Sequence, residues 1–167
     1  MRIIKLLAVI FALLLFYACG TEEQQEIVDS GLTDTGTAFN PKAWYGKTRR
    51  EMAKLIPQIS NVDQDISGGP FLLTDQMGLK SIIFTFEHSE KDARLLNLNV
   101  DFAEPVTISQ AVKTFGVNIQ GITPQKTRRY WLFPVNKPLI HSFMVKLKPS
   151  DPDSTPLTTA SIAYRLN

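Results

Sequence analysis

Few residues in this 167-residue chain are of the types that carry out catalysis or bind metal ions. There is one cysteine, Cys19, and there are two histidines, His88 and His141. A single cysteine excludes a disulfide framework and a multi-cysteine metal site, and two isolated histidines leave little for zinc or triad chemistry. The sequence also lacks a Gly-rich phosphate loop, a nucleophile elbow and an H-E-x-x-H motif. It therefore predicts no catalytic residue, no metal ligand and no cofactor.

Cys19 stands at the end of an N-terminal segment that is typical of exported proteins. Arg2 and Lys5 supply a short positive region, and an apolar run covers residues 6–16. The 11 residues of that run are too few to cross a hydrocarbon core, because a helix needs roughly 20 residues to span ~30 Å. They have the length of the central region of a signal peptide.

This segment resembles the signal of bacterial lipoproteins, in which the peptide is removed and the cysteine behind it is lipidated. Ala18 and Gly20, on either side of Cys19, agree with that pattern. The resemblance implies a signal peptide at 1–18, a lipid on Cys19 and a place in the cell envelope. Gly20, where an aspartate would retain the protein, implies the outer membrane. An ordinary secretory signal with a coincidental cysteine is the alternative interpretation.

An acidic segment follows the cysteine. Residues 20–40 contain five acidic residues and no basic residue, and their apolar residues have no period. Such a composition favours an extended, self-repelling chain. The sequence therefore predicts that 19–40 is a flexible tether that keeps the folded part close to the bilayer.

From residue 41 the pattern is that of a globular protein, and two capping boxes mark two helices. Thr48-Arg-Arg-Glu51 and, 59 residues later, Thr107-Ile-Ser-Gln110 place a threonine three residues before an acid or amide. In a capping box these two side chains each bond the other residue's backbone amide. Gly116 is the predicted end of the second helix. The predicted apolar helix faces consist of Met52, Leu55, Ile56 and Ile59, and of Ala111, Val112 and Phe115.

Three runs with strand alternation follow each helix. They cover 71–74, 80–86 and 96–102 in the first case, and 130–133, 140–147 and 158–166 in the second. The sequence therefore predicts an α+β fold with two tandem units, 41–104 and 105–167. Each unit has one helix followed by three antiparallel strands, and the helices pack on the antiparallel sheet.

Two families share these features. The helix openings Gly46-Lys-Thr-Arg-Arg-Glu-Met-Ala-Lys-Leu-Ile and Val106-Thr-Ile-Ser-Gln-Ala-Val-Lys-Thr-Phe-Gly116 resemble those of SmpA/OmlA-type lipoproteins, which belong to the outer-membrane β-barrel assembly machinery. The tandem α-then-β arrangement is similar to the β-lactamase-inhibitor-protein fold. These resemblances imply an accessory of outer-membrane assembly or an inhibitor-like binder, and they assign no binding residue.

Positive charge is concentrated in the second predicted unit. Residues 41–104 hold 8 basic and 9 acidic residues, whereas 105–167 hold 8 basic and 2 acidic residues. Strand alternation predicts shared faces for Lys146 with Lys148 and for Arg129 with Trp131. A basic face beside an aromatic ring suits anionic lipid headgroups, an acidic protein or an anionic glycan. The candidate binding residues are Arg128, Arg129, Trp131, Lys146, Lys148 and Arg165; a solvated sheet face without a ligand is the alternative.

These features together predict a non-enzymatic binding or scaffold protein that acts through an exposed sheet face. Its partners would be the membrane, through the lipid, and a protein or anionic component of the envelope; nucleic acid is not expected of an exported lipoprotein. Two alternatives remain. One is an envelope enzyme, such as a hydrolase, with an unrecognised site. The other is a receptor for a small amphiphile held between helix and sheet, which a cavity of roughly 300–1,000 Å³ would favour.

The lipid anchor is tested by the substitution Cys19→Ser. Because several acyl chains on one cysteine make a firm anchor, we expect the variant to move into the soluble fraction and to lose palmitate labelling. Membrane fractionation and labelling that are the same as in the unmodified sequence would contradict a lipid at Cys19.

Overall fold

A computed structural model describes residues 29–56 and 78–166 of the chain. This part contains helices α1 (Pro41–Trp44), α2 (Arg49–Leu55) and α3 (Ile108–Phe115). Its strands are β1 (Leu79–Phe86), β2 (Leu95–Val106), β3 (Gln125–Lys126), β4 (Trp131–Phe133), β5 (Ile140–Val145) and β6 (Leu157–Tyr164). The predictions for the signal peptide at 1–18, for Cys19, for Ile59 and for a strand at 71–74 lie outside the described residues.

The six strands form one sheet in the order β1-β2-β6-β5-β4-β3, and every neighbouring pair is antiparallel. Strand alternation sends one set of side chains to an inner face, where Phe84, Leu98, Phe143 and Ile162 are all buried. The predictions of an α+β fold and of an antiparallel sheet are confirmed.

Edge-to-face contacts between aromatic rings join the helices to the inner face of this sheet. The ring of Trp44 lies 5.6 Å from that of Phe84 on β1, and Phe115 lies 5.7 Å from Phe143 on β5. Phe39 connects the two helical residues, at 5.3 Å from Trp44 and 5.4 Å from Phe115. Aromatic pairs of this geometry are worth about 0.5–1.5 kcal/mol beyond the area they bury. The described residues therefore share one core.

The strand register is approximately symmetric about the middle of the sheet. Phe84 on β1 faces Leu98 on β2, Phe143 on β5 faces Ile162 on β6, and Leu98 and Ile162 face each other. On either side of this central pair, Asn97 faces Ala163 and Asn99 faces Ser161. A two-fold rotation about the centre exchanges these two pairs, and it exchanges β1 with β5.

Both predicted capping boxes are confirmed. Thr48 and Thr107 have the same backbone angles, φ −78° and ψ 162°. The amide of Glu51 donates to the Thr48 hydroxyl at 3.3 Å, and the Thr48 amide donates to the Glu51 carboxylate at 2.8 Å. The corresponding distances between Thr107 and Gln110 are 3.2 and 2.7 Å. The local signal is strong because both partners of each bond lie within one turn of chain.

Helix α3 ends at Gly116, as predicted. The close packing at this end also fixes the position of the chain around Thr33. Gly116 has the left-handed conformation, with φ 65° and ψ 26°. A Cβ at this position would lie 2.6 Å from the carbonyl oxygen of Thr33, so a side chain fits neither the backbone angle nor the space.

The predicted tether is too long at its C-terminal end. Leu32 is buried and forms a β-bridge with Val117, and the Thr33 amide donates to the Gly116 carbonyl at 2.7 Å. Phe39 is buried between Trp44 and Phe115. Residues 29–40 thus belong to the folded body, because Leu32 and Phe39 dock on distant parts of the chain and need no local period. The rest of the segment, 19–28, lies outside the described residues.

Two predicted apolar positions are also corrected. Leu55 is 56% exposed, because α2 has only seven residues and Met52 is the one that it buries. In β2, Leu96 is predicted to be buried, but the buried residue is Leu95. The reason is a shift in register, which pairs Phe86 with Leu95.

Removal of either N-cap hydroxyl tests the capping boxes. We expect Thr48→Ala and Thr107→Ala each to lower the free energy of unfolding by about 0.5–2 kcal/mol, because a helix amide loses its acceptor. The measurement is urea denaturation. Thr48→Ser and Thr107→Ser are the controls, since serine retains the hydroxyl, and equal stabilities for alanine and serine variants would refute the capping role.

The two boxes differ in their response to acid. Hydrogen bonds from the Thr48 amide and hydroxyl hold the pKa of Glu51 below its ordinary value. The stabilisation is therefore complete above the pKa of the unfolded chain and is lost as the pH falls through the lower pKa of the folded state. The side-chain amide of Gln110 does not take up a proton in this pH range, so the second capping box does not depend on acid in this way.

We accordingly expect the effect of Thr48→Ala to shrink between pH 7 and about pH 3, and that of Thr107→Ala to stay constant. Urea denaturation of both variants at the two pH values measures this. A parallel decrease in both variants would show that the Glu51 carboxylate is not the cause.

Candidate functional site

The β3–β4 hairpin carries two of the predicted binding residues at its tip. The Thr127 amide donates to the Tyr130 carbonyl at 2.9 Å, and the Tyr130 amide donates to the Thr127 hydroxyl at 3.2 Å. These bonds close a tight turn whose two central residues are Arg128 and Arg129, both exposed. Arg128 and Arg129 are therefore adjacent residues on a short, hydrogen-bonded turn.

Lys126, on the same hairpin, lies against Trp131. The two residues face each other in the β3–β4 register, and the Lys126 ammonium is 3.6 Å from the centre of the indole ring. The attraction between a cation and the face of an indole ring is worth about 0.5–1 kcal/mol at an exposed site. This contact holds the long lysine side chain at the edge of the sheet.

The expectation of an exposed ring at Trp131 is not met. Trp131 is 1% exposed, and its indole nitrogen donates to the Lys148 carbonyl at 2.9 Å. Alternation along β4 sends Trp131 and Phe133 to the inner face, so the ring supports Lys126 and Lys148 from within the core.

Lys146 and Lys148 follow β5 and extend the basic surface. Both are exposed, with the buried Leu147 between them. The Lys146 amide donates to the Thr159 carbonyl at 3.3 Å, which keeps this segment beside β6. The Lys148 amide donates to the Asp151 carboxylate at 2.8 Å. Since Val145 at the end of β5 faces Trp131 at the start of β4, this segment lies next to the hairpin.

We call the five exposed bases at this end of the sheet the cationic cluster: Lys126, Arg128, Arg129, Lys146 and Lys148. Within the described part of the chain, ion pairs form at Lys47–Glu51, Arg94–Glu87 and Lys137–Asp29, and no carboxylate lies within 4.0 Å of the side-chain nitrogens of the cluster. Unneutralised charges of one sign create a potential that attracts an anionic partner.

Arg165, the remaining candidate, lies elsewhere. It follows β6, its amide donates to the Leu139 carbonyl at 3.1 Å, and its guanidinium donates to the Asn136 side chain at 3.3 Å. These residues precede β5, whereas the cluster lies at its other end, roughly 17 Å away along the strand. The structure therefore does not bring Arg165 together with the other candidates.

Tyr130 is a surface residue that sequence reasoning missed. Its side chain is 39% exposed beside Arg129 at the start of β4. The alternation that buries Trp131 and Phe133 places Tyr130 on the opposite face. Sequence alternation puts the two rings on opposite faces without indicating which face is buried, and the register of the sheet makes Tyr130 the aromatic residue of the basic surface.

The outer face of the sheet adjoins the cationic cluster and is polar. The Asp101 carboxylate on β2 accepts hydrogen bonds from Ser81 on β1 at 2.8 Å and from Thr159 on β6 at 2.9 Å. Asn97, Asn99 and Ser161 occupy the same face. The ring contacts of Trp44 and Phe115 show that α1 and α3 pack on the inner face instead.

A groove of about 620 Å³ opens on the inner side, between the start of α3, the segment 117–124 and β4. Its lining is mainly apolar and includes Ile108, Val112, Ile119, Ile122, Trp131 and Phe133. The volume lies within the 300–1,000 Å³ range of small-molecule sites.

Titratable groups elsewhere in the described residues give no sign of acid–base or metal chemistry. His88 and His141 are exposed. Burial raises the pKa of Tyr164, whose hydroxyl donates to the Pro41 carbonyl at 2.8 Å, so this group ties the sheet to α1. No cluster of three or more His, Cys, Asp or Glu residues suitable for a metal ion occurs in the ranges 29–56 and 78–166.

None of the helices that the structure describes is both long and apolar enough to cross a bilayer. The chain matches none of the protein-family models, curated proteins or solved structures with which it was compared.

Proposed function

We propose that this chain is a lipid-anchored, non-enzymatic binding or scaffold protein of the bacterial cell envelope, attached to the outer membrane through Cys19. It holds an acidic protein or another anionic envelope component at the cationic cluster and the adjoining outer face. The observation that carries this proposal is the group of five exposed bases whose side-chain nitrogens have no carboxylate within 4.0 Å among the described residues.

The chemistry of the hairpin tip favours a carboxylate, sulfate or phosphate partner. A guanidinium presents a rigid fork of donors that fits such groups in a bidentate way, and it stays charged at every physiological pH. Arg128 and Arg129 are adjacent on a turn closed by Thr127 and Tyr130, so less side-chain and backbone freedom is lost on binding than in a free loop.

The outer face supplies polar hydrogen-bonding side chains next to this charge, among them the Asp101 carboxylate. The row of Ser81, Asp101 and Thr159 crosses three strands, and Lys146 extends it, since the Lys146 amide bonds to Thr159. A partner with an acidic edge and a polar flat surface is complementary to both parts. Electrostatic complementarity of this kind increases the association rate and the specificity.

The anchor sets how far this surface reaches from the bilayer. Cys19 precedes Asp29, the first described residue, by ten positions. A chain of that length cannot span more than about 35 Å even when fully extended. The partner therefore lies in the membrane or close to its surface.

We also infer that the folded body contains two tandem units, 41–104 and 105–167, in addition to residues 29–40. The matching backbone angles of Thr48 and Thr107 support this, and so does the pairing of Leu98 with Ile162 at the centre of a symmetric register. Phe84 and Phe143 are separated by the same 59 positions as the two threonines. The cationic cluster lies wholly in the second unit, so we assign the binding role to that unit.

The test is capture of membrane proteins by the full-length, lipidated protein in detergent, with the double substitution Arg128→Gln and Arg129→Gln. We expect the variant to capture the partner at least fivefold less, and salt to weaken capture by the original sequence, since salt screens exposed charges. The matched control replaces two exposed bases near α2, Arg50→Gln and Lys91→Gln. Equal loss in both double variants, or capture that salt does not change, would overturn the proposal.

A further inference from the structure

We propose that the groove between α3 and β4 binds a single-chain anionic amphiphile, a long-chain carboxylate. Its hydrocarbon tail lies in the groove and its carboxylate meets the ammonium of Lys126. This site is on the inner side of the sheet, and Lys126 is the one residue that it shares with the cationic cluster.

The walls of the groove favour hydrocarbon. Trp131, Phe133 and Val117 are buried side chains that form its floor, and Ile108, Ile119 and Ile122 are partly buried at its sides. A tail placed between them removes apolar surface from water on both partners, at about 25 cal/mol per Å². This gain needs no rearrangement of the fold, because the space is already open.

The volume of the groove accommodates one chain. A methylene occupies roughly the 30 Å³ that a water molecule takes up in the liquid, so a tail of 16 carbons needs roughly 480 Å³. One such tail fits within about 620 Å³. A single-chain amphiphile therefore suits the groove.

Lys126 lies on the correct face to bind the head group. It faces Trp131 in the strand register, and residues directly opposite each other in an antiparallel pair point to the same side of the sheet. Trp131 lines the groove, as does Pro124, two residues before Lys126. The ammonium is 3.6 Å from the indole ring of this lining residue, and no described carboxylate pairs with it.

One lining residue opposes an anion. Asp153 is the acidic side chain among the described residues that line the groove, and the neutral polar residues of the lining are Thr107, Ser109, Asn118 and Gln120. A carboxylate ligand is repelled by Asp153, whereas an uncharged ligand with the same tail is not. The sign of the effect at this position therefore reports the charge of the head group.

The experiment uses fluorescence quenching, because Trp131 is a wall of the site. The lipidated protein is placed in phosphatidylcholine vesicles and titrated with dibromostearate, since bromine quenches tryptophan on contact. Trp44→Phe leaves Trp131 as the only tryptophan, and calorimetry on the original sequence keeps the test valid if that variant does not fold. We expect saturable quenching, with little quenching by anionic vesicles whose phospholipid tails carry the bromine.

Substitutions test the binding of the ligand's carboxylate head group and of its hydrocarbon tail separately. Loss of one charge-assisted bond weakens binding about tenfold, so we expect Lys126→Gln to weaken dibromostearate binding by that factor and to leave its methyl ester unaffected. Asp153→Asn strengthens carboxylate binding, and Val112→Phe, which fills the groove, abolishes it. The matched control is Lys80→Gln on β1, at the other edge of the described sheet, which has no effect.

Three results would overturn the site: no saturable quenching or heat with the original sequence, equal quenching by the brominated phospholipid, or equal binding of ester and carboxylate. Failure of the partner surface is distinguishable, because Val112→Phe leaves the bases of the cationic cluster in place and does not lower capture of the membrane partner.

Discussion

The pairing of β2 with β6 is the contact on which the rest of the structure depends. It joins β1 and β2 to the strands that follow α3, and its central pair, Leu98 and Ile162, is buried. A two-stranded hairpin alone is marginally stable in water. Only the joined sheet offers an inner face wide enough for both Trp44 and Phe115, which rest on β1 and β5. The cationic cluster lies at the start of β4 and at the end of β5, so its position follows from the pairing of these strands in that sheet.

Signals confined to neighbouring residues were sufficient to predict much of this fold. The capping boxes at Thr48 and Thr107 need only four consecutive residues, and the alternation around Leu98 and Ile162 needs only one strand, so both are confirmed. The prediction that Leu55 belongs to the buried face of α2 was wrong, because the apolar period does not reveal how short this helix is. Where the partner is distant in sequence, local patterns fail: Leu32 is buried by Val117, which no periodicity in 29–40 indicates.

The candidate site shows the same division. The concentration of basic residues in 105–167 could be predicted from the sequence, because charge is a property of composition. It did not separate Arg165 from Arg128, because their distance depends on which ends of β4, β5 and β6 lie together. It also chose Trp131 over Tyr130 as the exposed ring, since the basic pattern around both residues is the same. Only the sheet register decides which of the two side chains faces the core.

The burial of Trp131 connects the two proposed binding sites. Its ring forms the floor of the groove, its indole nitrogen holds the carbonyl of Lys148, and its face carries Lys126. A carboxylate bound at Lys126 neutralises one of the five charges that attract an anionic partner. If two ligands share a charge in this way, each weakens the binding of the other by the same factor, because coupling between binding sites is reciprocal. Occupancy of the groove would then reduce the affinity of the outer surface for its partner.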